Sequence, residues 1–188
     1  MFRSHEPCPS IAARVSTRQT YRLMKKTALV LASFLLALPA GAAYDVRGVA
    51  LGAHENDVRK ALPSAHCKAL EWQSRAADRR CDDSRVAFGG VEVQATFYLK
   101  KDAVEAFDLR FDTRDLERFV AFLKTRYGAP TSETRDTIGR KDEKPRQVYS
   151  VLWQGKGERA VLTAQMEKRR ASIIVYRGDF EEEIYRVR

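Results

Sequence analysis

The chain has 188 residues, of which 44% are hydrophobic and 31% charged, and it carries a formal net charge of +9. This length suits one domain of ordinary size with a real core. The apolar fraction excludes a disordered chain, and glycine and proline are too few for a collagen-like protein. A single segment is apolar over more than about ten residues, which excludes a membrane protein with several spans.

That apolar segment has the layout of a secretory signal peptide. Lys25 and Lys26 precede the apolar run 28–38, and small residues follow it up to Ala43. A charged start, a short apolar core and small residues at the cleavage site are the three parts of such a peptide. We therefore predict a signal peptide over residues 24–43, cleaved near Ala43, and a periplasmic protein. The alternative is an uncleaved anchor in the inner membrane.

The signal peptide divides the chain into three parts. Residues 1–23 are polar, basic and without a hydrophobic pattern, which indicates a non-native or disordered extension. Residues 44–188 contain no linker and are predicted to form a single domain. Residues 1–43 hold a net charge of +5 and the remainder holds +4, so most of the basicity belongs to the leader. A nucleic-acid partner is therefore not expected.

Two cysteines stand in the exported part of the chain, Cys67 and Cys81, since Cys8 lies in the extension. An even number of cysteines in an oxidising compartment predicts a disulfide between them. Closing a loop of about fifteen residues stabilises a protein by roughly 3 kcal/mol. A metal site is not expected, because these cysteines with His54 and His66 lack the usual paired spacing of ligands.

The apolar periodicity predicts about seven strands and two main helices. In chain order we expect a strand at 46–51, a helix at 54–62, segments 67–72 and 79–83 on either side of a polar bend, a hairpin of 85–88 and 91–99 around Gly89-Gly90, a strand at 103–111, a helix at 112–127, a charged loop at 136–146, strands at 147–154, 159–166 and 171–177, and a final short helix or strand at 179–185. These elements predict an α+β fold, an antiparallel β-sheet with two main helices packed on one face.

A search for catalytic residues finds none. His54 begins a helix, where it is interpreted as an imperfect cap, and His66 stands beside a predicted disulfide. Neither histidine has a neighbour pattern typical of a nucleophile with its base. Phosphate-binding loops and dinucleotide fingerprints are missing. We therefore predict that the protein is not an enzyme and has no cofactor.

The segment 48–58, GVALGAHENDV, followed by Leu62-Pro63, resembles the opening of small envelope domains of the BamE/SmpA type. His54 stands where that family usually has serine or threonine. The resemblance implies a BamE/β-lactamase-inhibitor-protein-like fold, with helices on an antiparallel sheet. No binding residue is carried over with it.

These observations predict an exported periplasmic protein that acts as a non-catalytic binding or envelope-assembly module. The expected partner is another envelope or secreted protein. The alternatives are a secreted inhibitor of another enzyme and, less favoured, an enzyme with an unrecognised site. The candidate interaction residues are Trp153, Tyr149 and Tyr98, because exposed aromatic side chains often anchor interfaces. The basic run 168–170 adds the expectation of a weak contact with an anionic membrane surface.

We predict that the exported protein begins near Tyr44, because Gly41 and Ala43 fit a signal-peptidase site, and Ala40 and Ala42 offer a second site one residue earlier. Mass spectrometry of the exported species should give the mass of residues 44–188. A species that keeps Met24 and sediments with the membrane fraction would contradict this prediction.

Overall fold

A computed structural model describes residues 44–139, 144–155 and 157–185 of the chain. The predicted extension and signal peptide, residues 1–43, lie outside the described residues. The described elements, in chain order, are β1 (Asp45–Val46), β2 (Val49–Ala50), α1 (Glu55–Ala61), β3 (His66–Ala69), β4 (Arg79–Phe88), β5 (Val91–Lys100), β6 (Ala103–Asp112), α2 (Leu116–Tyr127), β7 (Ser132–Ile138), β8 (Arg146–Gln154), β9 (Glu158–Gln165), β10 (Arg170–Arg177) and α3 (Phe180–Tyr185). Single 3₁₀ turns precede α2 and follow β9.

Eight of the strands form one antiparallel sheet in the order β3-β4-β5-β6-β10-β9-β8-β7, and β1 and β2 form a separate ribbon. The order is symmetric about the β6–β10 pair, where Phe107 lies opposite Val175. Each half of the sheet is a meander of four strands that follows one helix, α1 in the first half and α2 in the second. The two outer strands, β3 and β7, are therefore the first strands of their halves.

The prediction of an α+β, BamE/β-lactamase-inhibitor-protein-like fold is wrong, because the described part of the chain is mostly β, with 53% of its residues in strands. Helix α1 has only seven residues, about two turns, and ends before Pro63. The polar segment Ser132–Ile138, which has no apolar alternation, forms an eighth strand of the sheet. Among the described residues, no helix has the length and apolar character needed to cross a bilayer.

One face of the sheet carries the main core, and α2 covers it. The helix predicted at 112–127 is confirmed as α2, and its residues Leu116, Phe119, Val120 and Leu123 are buried against this face. The helix ends at Gly128, whose φ of 84° lies in the region that favours glycine. Trp153 of β8 is buried on the same face and donates from Nε1 to the Gly128 carbonyl at 3.0 Å. This bond ties the end of α2 to the sheet.

A hairpin turn and an ion pair hold neighbouring segments against α2. The predicted hairpin turn at Gly89-Gly90 is confirmed, with φ values of 61° and 74°. A Cβ atom at Gly89 would lie 2.4 Å from the ring of Phe122, so the turn packs directly beneath α2. One turn further along the same helix, near its C-terminal end, Arg126 forms an ion pair with Asp45 of β1. The small ribbon is thereby held against α2.

A second, smaller cluster lies on the opposite face of the sheet. Its buried members are Ala77, Ala106, Tyr176, Phe180 and Ile184. Helix α3 supplies Phe180 and Ile184, and its placement shows that the helices do not all cover one face. The cluster leaves much of this face to polar and half-buried side chains.

The predicted disulfide is present and joins Cys67 of β3 to Cys81 of β4, which lie opposite each other in the sheet. The carboxylate of Glu55, at the start of α1, lies beside it and is 9% exposed. Glu55 accepts hydrogen bonds from Arg79 at 2.7 Å and from Arg59 at 2.7 Å. The bond from Arg79 is the main reason that the pKa of Glu55 is lowered from 4.5.

We predict that Glu55→Gln lowers the free energy of unfolding by about 2 kcal/mol at neutral pH, because the charge-assisted hydrogen bonds from the guanidinium groups of Arg59 and Arg79 are weakened. The lowered pKa means that the contribution of Glu55 is complete above pH 4.5 and is lost as the pH falls through the pKa of the folded state. The difference in free energy of unfolding between the unchanged protein and Glu55→Gln, measured with urea, should therefore become smaller in acid. Glu92→Gln, at an exposed position of β5, is the matched control. Equal losses for both variants would contradict the prediction.

Candidate binding groove

A groove of about 790 Å³ lies between α2 and the β7–β8 hairpin, on the helix-covered side of the sheet. Helix α2 contributes apolar lining through Leu116, Val120 and Ala121, and Met166 lines it from the turn after β9. Polar and charged side chains come from β7, β8 and the outer flank of α2. A volume of this size is typical of ligand sites in proteins.

A fixed polar cluster forms one wall of the groove. The carboxylate of Glu133 accepts a hydrogen bond from Lys124 Nζ at 2.6 Å and another from the Tyr149 hydroxyl at 2.5 Å. The bond from Lys124 is the main cause that lowers the pKa of Glu133. Burial, with the bond to Glu133 as the next cause, raises the pKa of Tyr149 to about 12. At neutral pH the cluster therefore presents an ionised carboxylate held between an ammonium group and a protonated phenol.

Arg135 adds a cation to the same wall. Its guanidinium lies 5.0 Å from the centre of the Tyr149 ring, within the range of a cation–π interaction. It also lowers the pKa of Glu133 through its charge. Glu133 and Arg135 are two residues apart on β7, so their side chains share the face of the strand that looks toward α2.

The rim of the groove is the outer edge of the sheet. All seven residues of β7 are exposed, and among the described strands β7 pairs only with β8. The other outer strand, β3, has four residues and is bonded to its neighbour through Cys67. An unpaired strand edge presents N–H and C=O groups that can pair with another chain. Strand β7 is therefore the long open edge of this sheet.

The three aromatic residues predicted for interaction lie in three different environments. Tyr149 lines the groove with 6% of its surface exposed. Trp153 is 2% exposed and serves the core through its bond to Gly128. Tyr98 lies on the opposite face of the sheet, where its ring is 5.4 Å from that of Phe180. Only Tyr149 therefore belongs to the groove.

The two histidines of the described chain lie away from the groove. The Nδ1 atom of His54 accepts from the Asn56 N–H at 3.4 Å, and the Asp57 carboxylate accepts from the His54 N–H at 3.1 Å. This capping box confirms the interpretation of His54 as a helix cap. His66 is exposed on β3, opposite Asp82.

One group of potential metal ligands lies close together in the described part of the chain. The carboxylate of Glu55 and the sulfur atoms of Cys67 and Cys81 lie within 4.8 Å of one another. The two sulfur atoms are joined in the disulfide, and the carboxylate is held by two guanidinium groups. We therefore assign no metal to this group.

Sequence reasoning missed Lys124, Glu133 and Arg135. Residues 131–135 were assigned to no element, the charged loop was predicted only at 136–146, and Lys124 of the predicted helix was given no role in binding. The signal that could have found the strand is the β-branched Thr134 and Thr137 among the charges of Ser132–Ile138. An edge strand needs no apolar face when its side chains stay in water. Its polar composition is therefore compatible with a place in the sheet.

No protein-family model, curated protein or solved structure matches this chain. The resemblance of residues 48–58 to BamE/SmpA domains stays a prediction. Function is inferred below from the geometry and chemistry of the described residues.

We predict that the carboxyl group of Glu133 titrates below 4.5 in the folded protein, because Lys124 and Tyr149 donate to its ionised form. Carboxyl chemical shifts followed by NMR against pH measure this midpoint. Lys124→Met should raise it, whereas Lys60→Met, a change at an exposed lysine of α1, should leave it unchanged. Stability should change by less than ~1 kcal/mol, since the pair is partly exposed. An unchanged titration midpoint of Glu133 in Lys124→Met would contradict the prediction.

Proposed function

We propose that the protein is an exported, non-catalytic binding module that takes an extended segment of another envelope or secreted protein. The segment adds as a strand to the open edge of β7 and places side chains in the groove beneath α2. The observation that carries the proposal is the fully exposed edge of β7 beside a groove with apolar lining. A small molecule would fill the groove but would leave the backbone of β7 unpaired.

Strand addition matches the dimensions of the site. Seven residues of β7 span roughly 23 Å, enough to pair with a segment of similar length. Successive side chains of an added strand point to opposite faces of the sheet, so every second one faces α2. Main-chain hydrogen bonds to β7 supply affinity, and the alternate side chains supply selectivity.

The groove sets the chemistry of the bound segment. Apolar side chains fit the lining made by Leu116, Val120 and Ala121. A carboxylate suits the position opposite Arg135, whose guanidinium lies over a ring rather than in an ion pair with another described residue. Glu133 already forms an ion pair with Lys124. The pair therefore presents a fixed dipole to the bound segment rather than an unpaired negative charge. A segment with alternating apolar and acidic residues is the best match.

The two halves of the sheet differ at their outer edges, β3 and β7, and this difference supports the proposed binding site at β7. In the first half, the disulfide and Glu55 occupy the space between α1 and the outer strand β3. In the second half, the corresponding space between α2 and β7 is the groove. The same arrangement of a helix over a meander is closed at one edge and open at the other.

The proposal assigns no chemical step to the protein. Among the described residues, His54 is engaged as a cap and His66 is exposed on β3, so neither is placed beside a nucleophile. The periplasm is the proposed location. The predicted signal peptide supports it, and the disulfide is consistent with an oxidising compartment.

The test uses the full chain and a displayed library of short random peptides. We expect selection to enrich extended sequences with alternating apolar and acidic residues. Ala121→Trp fills the groove and should weaken binding of the selected peptides by tenfold or more. Thr125→Trp, one turn further along α2 and exposed but outside the groove, is the control and should keep full affinity.

Hydrogen exchange reports the mode of binding. Strand addition should slow exchange of amide protons in β7, and little elsewhere on the sheet, because outward N–H groups become hydrogen-bonded. Peptides that bind Ala121→Trp as tightly as Thr125→Trp would overturn the groove assignment. Binding without slower exchange in β7 would overturn strand addition.

A further inference from the structure

Cationic and apolar side chains meet at one end of the sheet, where β6, β7 and β9 end and β8 and β10 begin. We call this surface the basic tip. Its members are Arg114, Ile138, Arg146, Met166, Lys168, Arg169 and Arg170. The strand register and the hydrogen bonds of the turns place these residues at the same end of the sheet.

Four contacts connect the strand ends and turns that form the basic tip. Ile138, the last residue of β7, lies opposite Arg146, the first residue of β8. The N–H of Gln147 donates to the Glu167 carboxylate at 2.8 Å, which connects β8 to the turn after β9. Asp112 at the end of β6 pairs with Arg114 at 3.1 Å and with Arg169 at 3.3 Å.

The basic tip also contains the large hydrophobic side chains that are exposed in the described part of the chain. Ile138 is 50% exposed and Met166 is 41% exposed. Single exposed apolar residues need no explanation on a protein surface. Here both stand at the same end of the molecule, among cations.

Positive charge dominates this surface. Lys168 and Arg170 are exposed and form no ion pair with another residue that the structure describes. Among the described residues of these strand ends and turns, the carboxylates are those of Asp112, Asp115, Asp136 and Glu167, and the five cations of the basic tip outnumber them. Asp112 is shared by two arginines, and a backbone N–H occupies Glu167. The exposed charges of Lys168 and Arg170, which form no ion pair with a described residue, are therefore available to an anionic partner.

We propose that the basic tip docks on the surface of an anionic phospholipid bilayer. The cations contact lipid phosphates, and Ile138 and Met166 enter the headgroup region, which is the combination that interfacial anchors use. The observations favour a bilayer over a protein partner because Lys168, Arg169 and Arg170 stand beside exposed apolar side chains and outside the groove. The basic tip shares Arg114 and Met166 with the lining of the groove and Ile138 with β7, whereas Lys168 and Arg170 belong to the basic tip alone.

Vesicle co-sedimentation tests the proposal. The full chain is used throughout, so that residues 1–43 are the same in every variant. Binding to vesicles of phosphatidylglycerol with phosphatidylcholine should rise with the anionic fraction and fall with added salt. The double variant Lys168→Gln, Arg170→Gln should bind more weakly by on the order of tenfold.

The matched control is Lys100→Gln, Lys101→Gln, which removes the same charge from the turn between β5 and β6, at the opposite end of β6. It should bind as the unchanged protein does. Ile138→Ser with Met166→Ser should also weaken binding, although no charge is lost. Equal binding by the tip and control variants would overturn the proposal, as would equal binding to pure phosphatidylcholine.

A spin-labelled lipid identifies the contact without any variant. Vesicles that carry it should broaden the amide NMR signals of residues 166–170 and of Ile138 before those of the β5–β6 turn. Broadening confined to other surfaces would overturn the proposal. Ala121→Trp should keep vesicle binding, and Lys168→Gln with Arg170→Gln should keep peptide binding in the groove. The two proposals can therefore fail separately.

Discussion

The pairing of β6 with β10 is the contact on which the rest of the structure depends. Every other strand of the large sheet pairs only with its neighbours in sequence, whereas this pair joins Phe107 to Val175 and Leu109 to Ile173. The register of this pair turns the apolar side chains of both strands toward the same face of the sheet. A slip of one residue would turn these apolar side chains to the opposite face. The single main core therefore exists because two distant segments meet in one register.

The same pairing explains why the two edges of the sheet differ. Because the last strand of each meander lies at the centre, the first strand of each becomes an edge. The first half closes its edge with a disulfide at Cys67 and with the carboxylate of Glu55. The second half leaves β7 open beside α2. The groove is thus a consequence of topology combined with the chemistry of a few residues at each edge.

Two buried carboxylates show how strongly local partners decide the behaviour of a charge. Glu55 has two guanidinium partners, and its pKa is lowered. Asp108, on the opposite face, has a bond from Arg110 at 2.8 Å, yet burial dominates and its pKa is raised. Glu55 therefore stabilises the folded protein at neutral pH and loses that effect in acid, whereas protonation of Asp108 favours the folded state as the pH falls.

The sequence by itself determined the local features of this protein. The apolar spacing of α2, the capping role of His54 and the glycine turn at Gly89-Gly90 follow from short-range geometry. The disulfide between Cys67 and Cys81 was predicted from their even number and from the predicted signal peptide, and the tertiary structure confirms the pair. The fold class was predicted wrongly because a helix of two turns counted as a main element.

Only the tertiary structure decided which surfaces are open. Tyr149 and Trp153 share one face of β8, yet the first lines a groove and the second lies beneath the end of α2. Periodicity shows which side chains share a face, but it gives neither the strand order nor the element that covers each face. The place of β7 at the edge, and hence the groove, depends on contacts between distant segments that no local pattern encodes.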